Sequence, residues 1–471
     1  MTDKCFLTVL VLVAALGPPA RPCGGQESEF RGQGEETHRR PASDPRPPTR
    51  LRGRDLGIPF DGTPGPLDAI TDVNGVEVGH TTLISGSGRL VVGSGPVRTG
   101  VTAILPRGKQ STDPVFAGWF SLNGNGEMTG TTWVEESGFL EGPVMITNTH
   151  SVGTVRDSVI AWRVEHGRPA GSEYWWSLPV VAETYDGYLN DTNGFHVKKE
   201  HVFAALESAT AGPVLEGNVG GGTGMICYEF KGGIGTASRR LAQKDGQYTV
   251  GVLVQCNCGS RDELRIAGVP VGREIPGPRV WAARAENVGS PAIGGTAVSE
   301  ARERDPDTSG QAARAILLSR DPVGTRSARV SPAPELSGSP DTGSIIIVVA
   351  TDAPLLPHQL KRLARRASLG LARTGSYSGD GSGDIFIVFS TANPDAAKST
   401  GIAKLEMFPN DRMDPIFQAT VQATEEAIVN ALVAADTMTG IDDHKVEAIP
   451  HGKLKEVLKK YNRLLQAGEA K

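Results

Sequence analysis

Cysteine and histidine are scarce in this chain. Five cysteines, Cys5, Cys23, Cys227, Cys256 and Cys258, are spread over 471 residues, and their spacing offers no paired disulfide framework. The Cys256-Asn-Cys258 stretch has no second half and no histidine pair at zinc spacing, so neither a metal nor another cofactor is expected. The last three cysteines read as core or near-core thiols, Cys256 and Cys258 sharing one face of a strand and Asn257 facing the other way. An excess of basic charge is also missing. With 48 Lys and Arg against 53 Asp and Glu, the net charge is −5, which gives no global attraction to nucleic acid and favours a small or peptide-sized ligand. No run is suited to an integral membrane protein. The N-terminal stretch Phe6–Leu16 is too short to span a bilayer. With Lys4 before it and a Pro/Ala/Gly break after it, it reads as the core of a cleaved signal peptide over 1–25. A periplasmic or secreted location follows, with lipid anchoring at Cys23 the lesser alternative because Pro and Arg precede that cysteine.

Glycine and proline are present in quantity, 59 and 32 residues, and they concentrate in two segments. Residues 26–56 hold Arg, Glu, Gly and Pro with almost nothing apolar, and cannot offset chain entropy by burial. They are expected to form a disordered tether, with folding starting near Gly57. Residues 274–343 are rich in Ala, Arg, Gly, Ser and Pro, with one possible helical patch at Gln311–Leu318, and read as a low-complexity segment. The folded material is then 57–273 and 344–471, two parts of one domain.

The second part begins with an apolar stretch. Gly343-Ser344 is followed by Ile345-Ile-Ile-Val-Val-Ala350, a β-branched run fit for a strand buried on both faces. After it, Pro357–Arg373 has Leu360, Leu363, Ala364, Ala367 and Leu371 on one helical face. Ile385–Phe389 is a further buried strand, and Asp414-Pro415 opens a helix to about Ala434. Earlier, Thr99–Leu105, Val115–Phe120 and Val144–Thr147 are short and β-rich. Ser151–Trp162 switches to helical spacing with Val155, Val159 and Trp162 aligned. Ser238–Leu241 reads as loop, and Tyr248–Asn257 as a central strand.

Several residues carry candidate chemistry. Pro179–Glu183 is a strand running into a polar loop, which puts Glu183 and Tyr185 on one face. His150 reads as a packing residue. Asn218–Met225 is glycine-rich but lacks the Lys-Ser/Thr of a phosphate loop, so close backbone approach near a pocket is the better reading. Asn257, at the polar end of an apolar strand, is an amide able to donate where negative charge develops.

Six motifs in order, Pro66–His80, Thr147-Asn-Thr-His-Ser-Val-Gly153, Glu183-Thr-Tyr-Asp-Gly187, Val254-Gln-Cys-Asn257, Gly343-Ser344 and Gly381-Ser-Gly-Asp384, together resemble the self-processing aminopeptidases. That family includes L-aminopeptidase/D-esterases, D-aminopeptidases and β-peptidyl aminopeptidases. The resemblance runs from about Ile58 to about Ala434 and implies an αββα four-layer sandwich of the N-terminal-nucleophile kind. It implies cleavage before Ser344, which becomes the nucleophile of a chain starting there, Gly343 being the residue on the other side of the cut. Asn257 matches the oxyanion-stabilising amide, Tyr185 a tyrosine that helps hold the site, and Glu183 the carboxylate that receives the substrate's ammonium. Ser382 and Asp384 match a pair assisting proton transfer, where some members have Glu at the second position.

The expected enzyme is therefore an exported serine aminopeptidase or amidase acting on small peptides, amino-acid amides or esters. Its α and β chains are expected to stay associated in a homo-oligomer, commonly a tetramer in the family. The resemblance leaves open whether the amino acid released is L-, D- or β-. An amine acyltransferase of related fold and an inert exported binding protein are the alternatives.

Overall fold

The structure, a computed structural model, describes residues 50–166, 176–278, 280 and 343–465. The signal peptide expected over 1–25, the tether up to residue 49 and the helical patch expected at 311–318 lie outside the described residues.

Two sheets lie face to face. The smaller has the order β1 (Glu77–Ser85), β2 (Val97–Leu105), β5 (Val144–Asn148), β6 (Val180–Thr184). The larger has the order β4 (Phe139–Leu140), β3 (Val115–Gly124), β12 (Ser382–Ser390), β11 (Gly343–Thr351), β10 (Thr249–Asn257), β9 (Gly233–Arg240). Two short ladders stand apart, β7 (Ile226–Cys227) with β8 (Phe230–Lys231) and β13 (Met438–Thr439) with β14 (Lys445–Val446).

The strand alternation explains the layers. Ile346, Val348 and Ala350 of β11 meet Ile104, Ile146 and Ala182 of the other sheet, because side chains two apart share a face. Ile345, Ile347 and Val349 point the opposite way, into a core shared with α4 (Pro357–Arg373), α5 (Asp414–Val433) and α6 (His451–Lys460). The smaller sheet is covered in turn by α2 (Val152–His166) and α3 (Lys199–Glu207), through Val155, Val159, Trp162 and Leu206. The result is the expected αββα sandwich. α4 starts at a proline in its first turn, and the Gln359 side chain accepts from the Leu356 N–H, closing a donor that the helix leaves open. α5 lies close on β9 because position 235 is glycine; a Cβ there would collide with the Ala427 carbonyl.

Three expectations are corrected. A short helix, α1 (Thr131–Ser137), stands within the stretch from residue 99 to 147 for which only strands were expected. Ser238–Arg240 is the end of β9 and not a loop. Its charged residues disguised it: Arg239 is fully buried, donating to Glu426 at 2.6 Å. Residues 50–56, expected in the tether, are bonded to the core. Arg54 grips both oxygens of Glu426 at 2.7 and 2.8 Å, and Arg52 meets Glu216 at 2.8 Å. Guanidinium groups bury where carboxylates pair them, which composition alone does not reveal.

The cysteine reading also changes. Cys227 and Cys256 are joined as a disulfide, and Cys258 lies beside it with its sulfur 4.0 Å from that of Cys256. All three are buried. Among the described residues they form the one cluster close enough to hold a metal, and the disulfide occupies two of its three sulfurs.

Glu426 lies on α5, whereas both of its arginines come from the part of the chain before residue 273. Glu426→Gln leaves one buried guanidinium, Arg239, and one half-buried, Arg54, short of a counter-charge. It is expected to lower the free energy of unfolding by about 3–5 kcal/mol, read as a lower urea midpoint at unchanged slope.

Candidate active site

Register brings the first two candidates together. β10 and β11 pair antiparallel with Asn257 directly across from Ser344. Ser344 shares the face of Ile346, and Asn257 that of Leu253, both of which look into the space between the sheets. A hydroxyl and a carboxamide thus face the same space from adjacent strands. Ser344 is 5% exposed and Asn257 1%, so water competes little for either.

Each has defined partners. The Ser344 hydroxyl donates to the Gly343 carbonyl at 2.7 Å. Gly343 has φ of +126°, a conformation that favours glycine, and a Cβ there would collide with the Asn257 carbonyl. The Asn257 Oδ1 accepts from the Ile226 N–H at 2.8 Å, and its Nδ2 donates to the Tyr185 carbonyl at 3.0 Å. That assigns one of the two Nδ2 protons and leaves the second for another acceptor.

Glu183 sits at the end of β6, 3% exposed. Its Oε1 accepts from the Glu127 N–H at 3.0 Å, and its Oε2 from the Thr149 hydroxyl. Its distance from the Ser344 strand is short. A Cβ on Gly126 would lie 3.2 Å from the Gly383 Cα and 3.3 Å from Glu183 Oε1, and Gly383 is the β12 register partner of Ser344. Burial raises the Glu183 pKa, more than the two hydrogen bonds lower it. The carboxylate is thus held in place but short of a counter-charge.

Tyr185 follows a different geometry from the one expected. β6 ends at Thr184, so the alternation that would align Tyr185 with Glu183 stops one residue too early. The Tyr185 ring lies over Gly187, and its link to Asn257 is its main-chain carbonyl. The loop is pinned by Asp186, a buried acid pushed up to about 6 by desolvation, whose Oδ1 accepts from Asn190 at 3.1 Å.

Ser382 and Asp384 are both fully buried, and the Ser382 hydroxyl donates to Asp384 at 2.8 Å. They alternate with Gly383 and Ile385 and therefore share the face of Phe386 and Val388, the helix side. Ser344 points to the other side. Because Ser382 is the register partner of Gly343, the pair borders the main chain at the Gly343–Ser344 junction and not the Ser344 hydroxyl. His150 is exposed, with its ring 6.0 Å from that of Phe195.

Sequence reasoning missed three contributors. Thr149 lay inside a motif already singled out, and its spacing from Glu183 gave no sign that the two would meet. The N–H groups of Glu127 and Ile226 carry no residue signature at all, since any residue but proline supplies one.

Solved structures resemble this fold closely. The L-aminopeptidase D-Ala-esterase/amidase from Ochrobactrum anthropi, described as a prototype for the serine aminopeptidases and a variant of the Ntn hydrolase fold, superposes with a TM-score of 0.72 at 43% identity, covering 88% of this chain and 99% of that one. A β-aminopeptidase from Burkholderia sp. gives 0.69 at 43% identity, covering 87% and 99%. The fold and site define a serine-type aminopeptidase of the Ntn-hydrolase kind. Residues 68–446 match the model of Peptidase family S58. The β-peptidyl aminopeptidases BapA of Sphingosinicella microcystinivorans and Sphingosinicella xenopeptidilytica are 52% and 48% identical, over 88% and 87% of this chain and 94% and 91% of theirs. The chain belongs to peptidase family S58.

Thr149→Val removes a donor from a carboxylate already pushed up by burial. The Glu183 pKa is expected to rise further, measured by NMR titration of the carboxyl carbon; an unchanged or lowered value would contradict the geometry.

Proposed function

We propose that this protein is an exported, self-activating aminopeptidase that cuts its own chain between Gly343 and Ser344. The observation that carries the reading is the Ser344 hydroxyl held 2.7 Å from the Gly343 carbonyl oxygen, across from the Asn257 amide. Attack of that hydroxyl on the Gly343 carbonyl carbon forms an ester and releases the Ser344 nitrogen as an amine. Water then frees the Gly343 carboxylate, leaving Ser344 with its hydroxyl and a new α-amine. The Asn257 proton not given to Tyr185 is the oxyanion donor for this step.

The same groups serve turnover. An α-amine titrates at about 7.7–8.0 and can act as a base, which an amide nitrogen cannot. Its neighbours at the junction are Ser382 and Asp384, so their role is to orient this amine and steady its proton. The substrate's ammonium binds Glu183, its carbonyl is attacked by Ser344, and the acyl-enzyme is hydrolysed with no change of oxidation state. Peptides, amides and esters with a terminal β-amino acid are the favoured substrates. The names of the two Sphingosinicella relatives, each matched over nearly nine-tenths of this chain, support that choice.

Association of the two chains after the cut is supported by β11, which stays hydrogen-bonded between β10 and β12, and by Glu426 on Arg54 and Arg239. Export rests on the Phe6–Leu16 run. Among the described residues no helix is long and apolar enough to cross a membrane. Assembly into a homo-oligomer, a tetramer by family resemblance, is part of the proposal.

N-terminal sequencing of the purified protein is expected to give a second start reading Ser-Ile-Ile-Ile-Val, with Ser344→Ala remaining a single uncut chain and hydrolysing no β-amino-acid amide. A wild-type chain that stays whole yet hydrolyses the amide would overturn the processing. For wild type, KM is expected to rise as pH falls through the raised Glu183 pKa, because protonation removes the counter-charge to the substrate's ammonium; a KM flat from pH 7 to 4 would exclude Glu183 from that role.

A further inference from the structure

Lys231 is among the largest fully buried side chains of the protein, at 0% exposure. Lysine is seldom buried so deeply without a partner acid, and no carboxylate among the described residues lies within ion-pair distance of it. Its Nζ is instead surrounded by main-chain oxygens: Met225 O at 2.7 Å, Gly232 O at 2.8 Å and Gly222 O at 3.5 Å. Desolvation pushes its pKa well down. A side chain needed only to fill volume would be Met or Leu, which carry no polar atom to desolvate.

The carbonyl at 2.7 Å identifies the task. Met225 C=O and Ile226 N–H belong to one planar peptide group and point in opposite directions. The oxygen end of that group accepts from Lys231 Nζ at 2.7 Å and from the Gly232 N–H at 2.9 Å, and the hydrogen end donates to Asn257 Oδ1 at 2.8 Å. A continuous line of donors and acceptors therefore runs from Nζ through one peptide and one carboxamide to the Asn257 Nδ2 protons. Hydrogen bonds in such a line polarise one another. Each donation into a carbonyl strengthens the N–H at the other end of the same amide.

The lysine is also placed to hold this peptide still. Ile226 is its direct register partner in the β7–β8 hairpin. Gly222 and Met225 belong to the glycine-rich loop Gly220–Met225, which has a single 3₁₀ turn and one main-chain bond across the hairpin base, from the Gly232 N–H to Met225 O. Two firm bonds from one amine tie the two sides of the hairpin base together, and the Cys227–Cys256 disulfide ties the hairpin to β10 next to Asn257.

We infer that Lys231 is a positioning residue that acts through the Met225–Ile226 peptide to orient and polarise the Asn257 carboxamide, and so serves both self-cleavage and peptide hydrolysis. This rests on the reading of Asn257 as the oxyanion donor. Losing such a donor outright typically costs roughly 10²–10³ in rate, and losing its support costs less.

In Lys231→Met, self-cleavage of the purified precursor and kcat of the mature enzyme are expected to fall together by roughly 10- to 100-fold, with KM within about twofold of wild type. Lys231→Gln keeps an N–H donor on a side chain one bond shorter, and is expected to recover part of both rates. It also supplies the same kcat-against-KM comparison where Lys231→Met does not fold. In the Asn257→Ala background, adding Lys231→Met is expected to change the cleavage rate no further. A KM increase at unchanged kcat, unchanged rates in folded Lys231→Met, or losses that multiply in the double variant would overturn the inference while leaving the Asn257 reading standing. Unchanged cleavage in Asn257→Ala alone would overturn the reading on which it rests.

Discussion

The antiparallel register of β10 and β11 sets Asn257 across from Ser344, and the remaining site geometry depends on it. A slip of one residue in either strand would turn that side chain from the space between the sheets to the helix side. The register is fixed by burial on both faces: Ile345, Ile347 and Val349 fill the helix-side core, while Ile346, Val348 and Ala350 fill the core between the sheets. Ser344 is the first residue after the glycine junction and takes the inter-sheet direction from this alternation. The apolar strand thus determines where the polar hydroxyl points.

Two layers of support surround that pair. One comes from the ends of β5 and β6 and the turns that follow them, bringing Glu183, Thr149 and the Tyr185 carbonyl. The other is the β7–β8 hairpin, whose Ile226 N–H holds the Asn257 oxygen. Both supports come from residues before 273, whereas Ser344 begins the later part of the chain. The two parts share one sheet, with β11 and β12 flanked by β10 on one side and β3 on the other. The proposed cut would therefore open the chain without opening the fold.

Much of this was legible in the sequence because buried elements repeat. The β11 run, the α4 stripe of Leu360, Leu363 and Leu371, and the α2 face of Val155, Val159 and Trp162 all follow from period alone, and the four-layer architecture follows from resemblance. What stayed hidden has a common cause. Arg239 in β9 and Arg54 before the expected start of the fold turn inward onto a carboxylate distant in sequence, and Lys231 in β8 turns inward onto main-chain carbonyls close by; in each case the charge made the residue look solvated. Ser382 and Asp384 were legible as a pair, yet only the parity of β12 shows that they border the backbone of the junction and not the hydroxyl. The Cys227–Cys256 bond joins two strands whose contact no spacing announced.

The central claim is that the Ser344 hydroxyl attacks its own preceding peptide, so that the junction passes through an ester. At neutral pH, without denaturant, hydroxylamine cleaves esters far faster than peptide bonds, the slow cleavage of Asn-Gly bonds such as Asn123-Gly124 being read from the Ser344→Ala control. Adding it to freshly folded, uncut protein and weighing the products tests the ester directly. The account predicts faster cleavage and an α chain ending in a Gly343 hydroxamate, with the other product beginning at Ser344. An unchanged rate with only a Gly343 carboxylate, or an accelerated cut at another bond absent from Ser344→Ala, would contradict it.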